Sequence, residues 1–209
     1  MDGQTILKIF LCTAGAFVLG SVPVGLVLTK LFSSKDIRTQ GSGNIGATNV
    51  ARVAGARLGL ITLALDLLKG ALPVAAAGLM VPSTGEPAMA LAGLAAVAGH
   101  CYPVFSGFTG GGKGVATACG VFLVAAPWAC LVALVVFLAA VAGFKRVSLG
   151  SILAALSLPA GTWFFYGTGP VAAAAATVGL LVVARHRANI SRLLAGTEPP
   201  FFKKPGQDR

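Results

Sequence analysis

The 209-residue sequence has little charge, and least of all negative charge. Asp and Glu number six against 16 Lys and Arg, and all charged residues together make up 11% of the chain. An ordinary soluble domain carries roughly 25%, and a chain this short has a large surface to cover, so a soluble domain is excluded. Disorder is excluded as well, because it needs low hydrophobicity. Here 56% of the residues are hydrophobic and the mean hydropathy is +0.86. The composition fits an all-α, polytopic integral membrane bundle.

Further absences narrow the chemistry. The four cysteines, Cys12, Cys101, Cys119 and Cys130, form no C-x-x-C pair and sit in or beside apolar runs. They read as small buried residues and not as a metal site or disulfide framework. His100 and His186 lack metal-ligand neighbours at useful spacing, and no metal or cofactor is expected. There is no G-x-S-x-G nucleophile elbow. The H-x-x-x-x-D signature of membrane glycerolipid acyltransferases is missing too, since positions 105 and 191 hold Phe105 and Ser191. Nor is there a cleavable leader by pattern. Asp2 precedes Lys8 and the apolar run from Ile9 is long, which suits a retained first span.

A spanning helix needs about 20 apolar residues. Candidate spans cover residues 6–32, 58–81, 87–105, two halves of 115–144 divided at Pro127, 151–166 and 171–184. Pro127 divides the central run because it cannot continue a helix. Seven spans are expected, with five plus re-entrant helices as the alternative. The segments between them are 33–57, 106–114, 145–150 and the tail 185–209 on one side, all within one membrane-integral domain spanning 1–209. Fourteen of the 16 basic residues fall on that side: Lys30, Lys35, Arg38, Arg52, Arg57, Lys113, Lys145, Arg146, Arg185, Arg187, Arg192, Lys203, Lys204 and Arg209. The opposite loops have none. The positive-inside rule then puts the N-terminus outside and the C-terminus in the cytoplasm.

Three basic-side segments carry more than charge. The first runs Gly41-Ser42-Gly43-Asn44-Ile45-Gly46-Ala47-Thr48-Asn49-Val50-Ala51-Arg52. Its glycines permit close backbone approach to an anion, although a flexible loop also fits. The second, Gly107-Phe108-Thr109-Gly110-Gly111-Gly112-Lys113-Gly114, nearly matches G-x-x-x-x-G-K-[ST]. Gly114 replaces the Mg²⁺-binding hydroxyl and the preceding segment is a span, so nucleotide hydrolysis is a poor reading. Clustered N–H groups, a Lys and a helix beginning at Val115 still suit a phosphate. In the third, Arg185, His186, Asn189 and Arg192 share a helical face. A basic helix lying on anionic lipid is the plainer reading, but it does not need His186 or Asn189. Within the second span, Asp66 and Lys69 lie three apart, at a spacing that permits an ion pair facing the bundle interior.

These motifs resemble the bacterial PlsY family of acyl phosphate:glycerol-3-phosphate acyltransferases. The resemblance covers nearly the whole chain. It rests on Gly41-Ser42-Gly43-Asn44 through Arg52, on Gly99-His100-Cys101-Tyr102-Pro103 through Gly111-Gly112-Lys113-Gly114-Val115-Ala116-Thr117, and on His186 and Asn189-Ile190 through Arg192-Leu193-Leu194 and Gly196-Thr197-Glu198. The run Asp66-Leu67-Leu68-Lys69-Gly70 also looks like the family.

The resemblance implies a seven-helix protein of the bacterial inner membrane with its active site at the cytoplasmic face. It implies acyl transfer from acyl phosphate to the 1-hydroxyl of sn-glycerol 3-phosphate, giving lysophosphatidate and inorganic phosphate in the first acylation of phospholipid synthesis. Catalytic positions would be Ser42, Arg52, Lys113, His186 and Asn189. Substrate or phosphate would meet Gly41, Gly43, Asn44, Thr48, Asn49, Gly110, Gly111, Gly112 and Ser148. Asp66, Lys69 and Glu198 would be structural, Glu198 bracing the loops through a basic partner. The substrates and the bilayer would be the only partners, without nucleic acid. The oligomeric state, a monomer among the options, is left open. Thr109 stands where the family usually has a basic residue, with one extra Gly beside it, which leaves the partner of Lys113 open. A transporter or flippase for a small phosphorylated solute is the rival reading, because interrupted helices and intramembrane charges suit one.

Overall fold

The computed structural model describes residues 1–200, and every regular element among them is helical. The helices are α1 (Gly3–Gly20), α2 (Val24–Phe32), α3 (Ala47–Ala54), α4 (Ala56–Met80), α5 (Gly85–Cys101), α6 (Val115–Ala125), α7 (Pro127–Phe144), α8 (Val147–Tyr166), α9 (Pro170–Arg185) and α10 (Arg187–Leu194). The tail residues 201–209, including Lys203, Lys204 and Arg209, lie outside the described residues.

Helix boundaries follow local chemistry. The Asp2 carboxylate accepts from the Thr5 amide at 2.7 Å and starts α1, satisfying one of the donors that every helix N-terminus leaves open. Pro127 and Pro170 each open a helix, the position where a missing N–H costs nothing. The stretch expected as a single span over 6–32 lies within one candidate crossing, Gly3–Phe32, built from two helices interrupted at Ser21, Val22 and Pro23. Pro23 forces Val22 out of the helical region. The Val22 carbonyl at this break accepts from the Val24 amide and from Lys69 Nζ, both at 2.9 Å, so a lysine from α4 adds a second donor where the helix is interrupted.

Helix α1 packs on α5, α4 on α5 and α6, α7 on α8, and α9 on both α5 and α8. The crossings are built from glycine. A methyl group at Gly20 would strike the Ala96 backbone, one at Gly70 the Thr117 carbonyl, and one at Gly120 the Leu67 carbonyl. Small residues at such contacts let backbones approach and gain dispersion where lipid offers no hydrophobic drive. The interior is correspondingly mostly Ala and Val, with Phe122 as a large exception. The outer surface carries large apolar side chains, among them Leu60, Leu72, Leu79, Trp128 and Phe164, as a lipid-facing surface requires.

Five helical stretches are long and apolar enough to cross a membrane: Gly3–Phe32, Ala56–Met80, Pro82–Ser106, Pro127–Phe144 and Val147–Tyr166. A sixth arises if α9 and α10, bent by 59° to each other, count as one. Helix α6 has 11 residues and rises only about 16 Å, about half of a hydrocarbon core of about 30 Å. The split at Pro127 occurs as expected. Two connecting segments are more structured than expected: 33–57 contains α3, and α8 begins at Val147, which shortens the basic segment that began at Lys145.

Candidate active site

The first motif folds as a loop fastened by one side chain. Asn49, buried on α3, donates through Nδ2 to the carbonyls of Ile37 at 3.0 Å and Gln40 at 3.2 Å, and its Oδ1 accepts from the Ser42 amide at 2.8 Å. Asn44 Oδ1 accepts from the Gly46 amide at 2.9 Å. Gly41 runs at φ +62° with Asn49 against its Cα, so no side chain fits there. Gly41, Ser42 and Gly43 are exposed and Thr48 is half-buried. Among the described residues none of these forms a hydrogen bond to the other two motifs. Arg52 forms no ion pair among the described residues, yet its charge bears on Lys113.

The second and third motifs meet directly. Lys113 Nζ donates to Asn189 Oδ1 at 2.6 Å, Asn189 Nδ2 donates to Glu198 Oε1 at 2.7 Å, and Arg192 Nε donates to Glu198 Oε2 at 2.7 Å. The Asn189 amide orientation follows from its partners, because an ammonium must face the oxygen and a carboxylate the NH₂ group. Glu198 reaches this position because Arg192 O, at the end of α10, accepts from the Thr197 and Glu198 amides at 2.8 and 3.2 Å. Ser148, in the first turn of α8, is buried beside the carboxylate without completing a hydrogen bond to it. Burial works to raise the Glu198 carboxyl, but Ser148, Asn189 and Arg192 outweigh it and hold the group below its ordinary value.

Lys113 sits half-buried just ahead of α6. Gly114 caps that helix at φ +83°, in the left-handed region, which explains glycine where a phosphate-loop hydroxyl would otherwise stand. Burial pushes the Lys113 ammonium down to about 8, with Arg192, Arg52 and Arg185 adding to the fall and Glu198 opposing it. The ammonium has three N–H bonds and spends one on Asn189. Thr109 exchanges hydrogen bonds with Ser106 and closes the preceding turn.

His186 occupies the break between α9 and α10. Its Nδ1 lies 2.7 Å from the Val182 carbonyl. A carbonyl can only accept, so Nδ1 carries the proton and Nε2 is left as an acceptor. Burial pushes the imidazole down to about 4, with Lys113 reinforcing and the Val182 bond opposing. It is neutral at physiological pH.

Two arrangements were not visible in the motifs. Arg185 binds the Gly111 carbonyl at 2.8 Å and the Gly112 carbonyl at 3.1 Å, and its guanidinium lies 5.2 Å over the Tyr102 ring. Asp66 Oδ1 lies 2.9 Å from Lys69 Nζ and also 3.7 Å from His100 Nδ1, so His100, which has no acidic neighbour in sequence, has one in space. The Gly112 amide donates to the His100 carbonyl at 3.0 Å. Only the i, i+3 spacing of Asp66 and Lys69 was a local signal.

The family model described as glycerol-3-phosphate acyltransferase matches residues 10–196. The chain belongs to the glycerol-3-phosphate acyltransferase family. Curated relatives agree. A glycerol-3-phosphate acyltransferase of Geobacter metallireducens is 52% identical over 191 residues, covering 91% of this chain and 96% of the relative. One from Syntrophotalea carbinolica is 47% identical over 192 residues, covering 92% and 97%. The fold is similar to the crystal structure of PlsY, an integral membrane glycerol 3-phosphate acyltransferase, in its glycerol 3-phosphate form. That likeness has a TM-score of 0.86 at 40% identity and covers 96% of each chain. The family match thus extends over the first two motifs and most of the third.

Proposed function

We propose that this chain transfers a fatty acyl group from acyl phosphate to the 1-hydroxyl of sn-glycerol 3-phosphate. The products are lysophosphatidate and inorganic phosphate, and the reaction is the first acylation of phospholipid synthesis. It takes place at the cytoplasmic face of the bacterial inner membrane, with the N-terminus outside, the C-terminus inside and seven crossings, α6 and α9 being the short ones. The observation that carries this reading is the Lys113–Asn189 contact at 2.6 Å, which joins the glycine-rich loop to the polar face of α10 in a group containing Arg52, Arg185 and Arg192. Such a concentration of cations around one buried carboxylate leaves net positive charge for phosphates. Family membership supports the acceptor, and the low acidic content supports anionic ligands.

The donor is an activated mixed anhydride, so no covalent enzyme intermediate is needed. The acceptor hydroxyl oxygen bonds to the acyl carbon, the bond from that carbon to the phosphate oxygen breaks, and the hydroxyl proton passes to an oxygen of the departing phosphate. Lys113 and Arg52 stabilise the charge that grows on the leaving group. Asn189 aims Lys113, and Glu198 with Arg192 holds Asn189. His186 Nε2 accepts from the glycerol hydroxyl and orients it; its depressed basicity makes it a poor proton sink. The Ser42 hydroxyl with Gly41, Gly43, Asn44 and Thr48 binds substrate, on a loop that Asn49 fastens. Ser148 with the Gly110 and Gly111 amides completes the phosphate contacts; Gly112, expected among them, is excluded because its amide is spent on the His100 carbonyl. Rapid quenching during turnover, followed by mass spectrometry of the intact protein, tests direct transfer. The mass should stay unacylated throughout, and an acyl adduct on Ser42 would overturn this step.

A further inference from the structure

Arg185 stands just before His186 at the end of α9 and reaches back to the glycine-rich loop. Its Nη2 donates to Gly111 O at 2.8 Å and its Nε to Gly112 O at 3.1 Å, while the guanidinium face rests on Tyr102 at 5.2 Å. The fork therefore grips two successive carbonyls through two nitrogens fixed in one plane. From the other side the Gly112 amide is held by His100 O at 3.0 Å, and His100 packs against Gly112 so closely that a methyl group there would strike the imidazole. The next residue is Lys113. Its Nζ meets Asn189, which lies four residues beyond Arg185. One side chain thus ties the backbone that presents the ammonium to the helix end that presents its partner.

We infer that Arg185 is a positioning residue for Lys113, setting the glycine-rich loop against the α9–α10 break so that the ammonium meets the phosphate in register with His186 and Asn189. The inference rests on Lys113 acting on a phosphate as described above. Tyr102 belongs to the same device, because it holds the guanidinium plane at the angle that reaches both carbonyls.

Purified protein in detergent, given palmitoyl phosphate and glycerol 3-phosphate, tests it. Arg185→Lys keeps the charge but loses the planar fork and its stacking on Tyr102, and should lower kcat about tenfold with a smaller change in KM for glycerol 3-phosphate and no loss of Tm. Lys113 faces Glu198, His186, Arg52, Arg185 and Arg192, and the variant should also move the upper limb of the pH profile upward, as the loosened Lys113 becomes more solvated. A fall in activity confined to that KM, or a lowered kcat with an unmoved upper limb, would overturn the inference. Should Arg185→Lys fail to fold, Tyr102→Leu alters only the exposed platform and should give the same pattern at about threefold; an unaffected profile there is equally decisive against it. Wild-type turnover in Lys113→Ala would instead sink the phosphate role of Lys113, a failure distinct from that of Arg185.

Discussion

Lys113 and Asn189 stand 76 residues apart in the chain and 2.6 Å apart in the structure. The contact is specified from behind, since Glu198 takes the amide nitrogen of Asn189 at 2.7 Å and leaves only the amide oxygen for the ammonium. Asn189→Asp keeps the shape and removes that logic. Two carboxylates would face each other beside Lys113, one being forced to hold a proton. Turnover should fall at least about tenfold, whereas Asn189→Ala leaves Lys113 without its partner and should cost more. Steady-state kinetics of both variants at pH 7 check this order.

The pH profile follows from Lys113. With its ammonium near 8, the charged form is present below that value and lost above it. Activity should decline as pH rises through about 8, by one proton. Lys113→Arg, always charged, should remove this decline even where it lowers the maximum rate. His186, near 4, adds no change between pH 6 and 8. A profile of kcat from pH 6 to 10 for the two proteins gives the answer.

Gly112 cannot take a side chain because His100 occupies the space. Gly112→Ala should therefore displace the loop and lower activity about tenfold or more, with the helices intact. Far-ultraviolet circular dichroism beside the assay separates the two effects.

The buried group at mid-bundle carries stability. Lys69 is bonded to the Val22 carbonyl and paired with Asp66. Asp66→Asn leaves the ammonium inside without its counter-charge, at a cost of about 3–5 kcal/mol. The double variant Asp66→Leu with Lys69→Met should recover part of this. Thermal unfolding in detergent reads both.

Much of the fold was legible because it is local. Apolar run lengths gave the helices, Pro127 marked the division between α6 and α7, and the i, i+3 spacing announced Asp66 and Lys69. The break at Ser21–Pro23 was harder to see, because part of its hydrogen bonding comes from Lys69, 47 residues away. The short α6 was delimited in the sequence too, since Gly114 and Pro127 confine it to 11 residues. The three motifs were readable as anion-type segments, and Arg52, Lys113, His186 and Asn189 could be named from them. Arg185 looked like one basic residue among several, and its role depends on carbonyls 73 and 74 positions away. The Asp66–His100 approach likewise exists only once α4 and α5 are packed.

The most direct test is turnover with defined donors. Purified protein in lipid nanodiscs would receive glycerol 3-phosphate together with palmitoyl phosphate, palmitoyl-CoA or palmitoyl-acyl carrier protein, and lysophosphatidate and phosphate would be quantified. Palmitoyl phosphate alone should support the reaction, with the two products released in equal amounts. Equal or faster turnover with a thioester, or no acylation of glycerol 3-phosphate by folded protein with any donor, would contradict it.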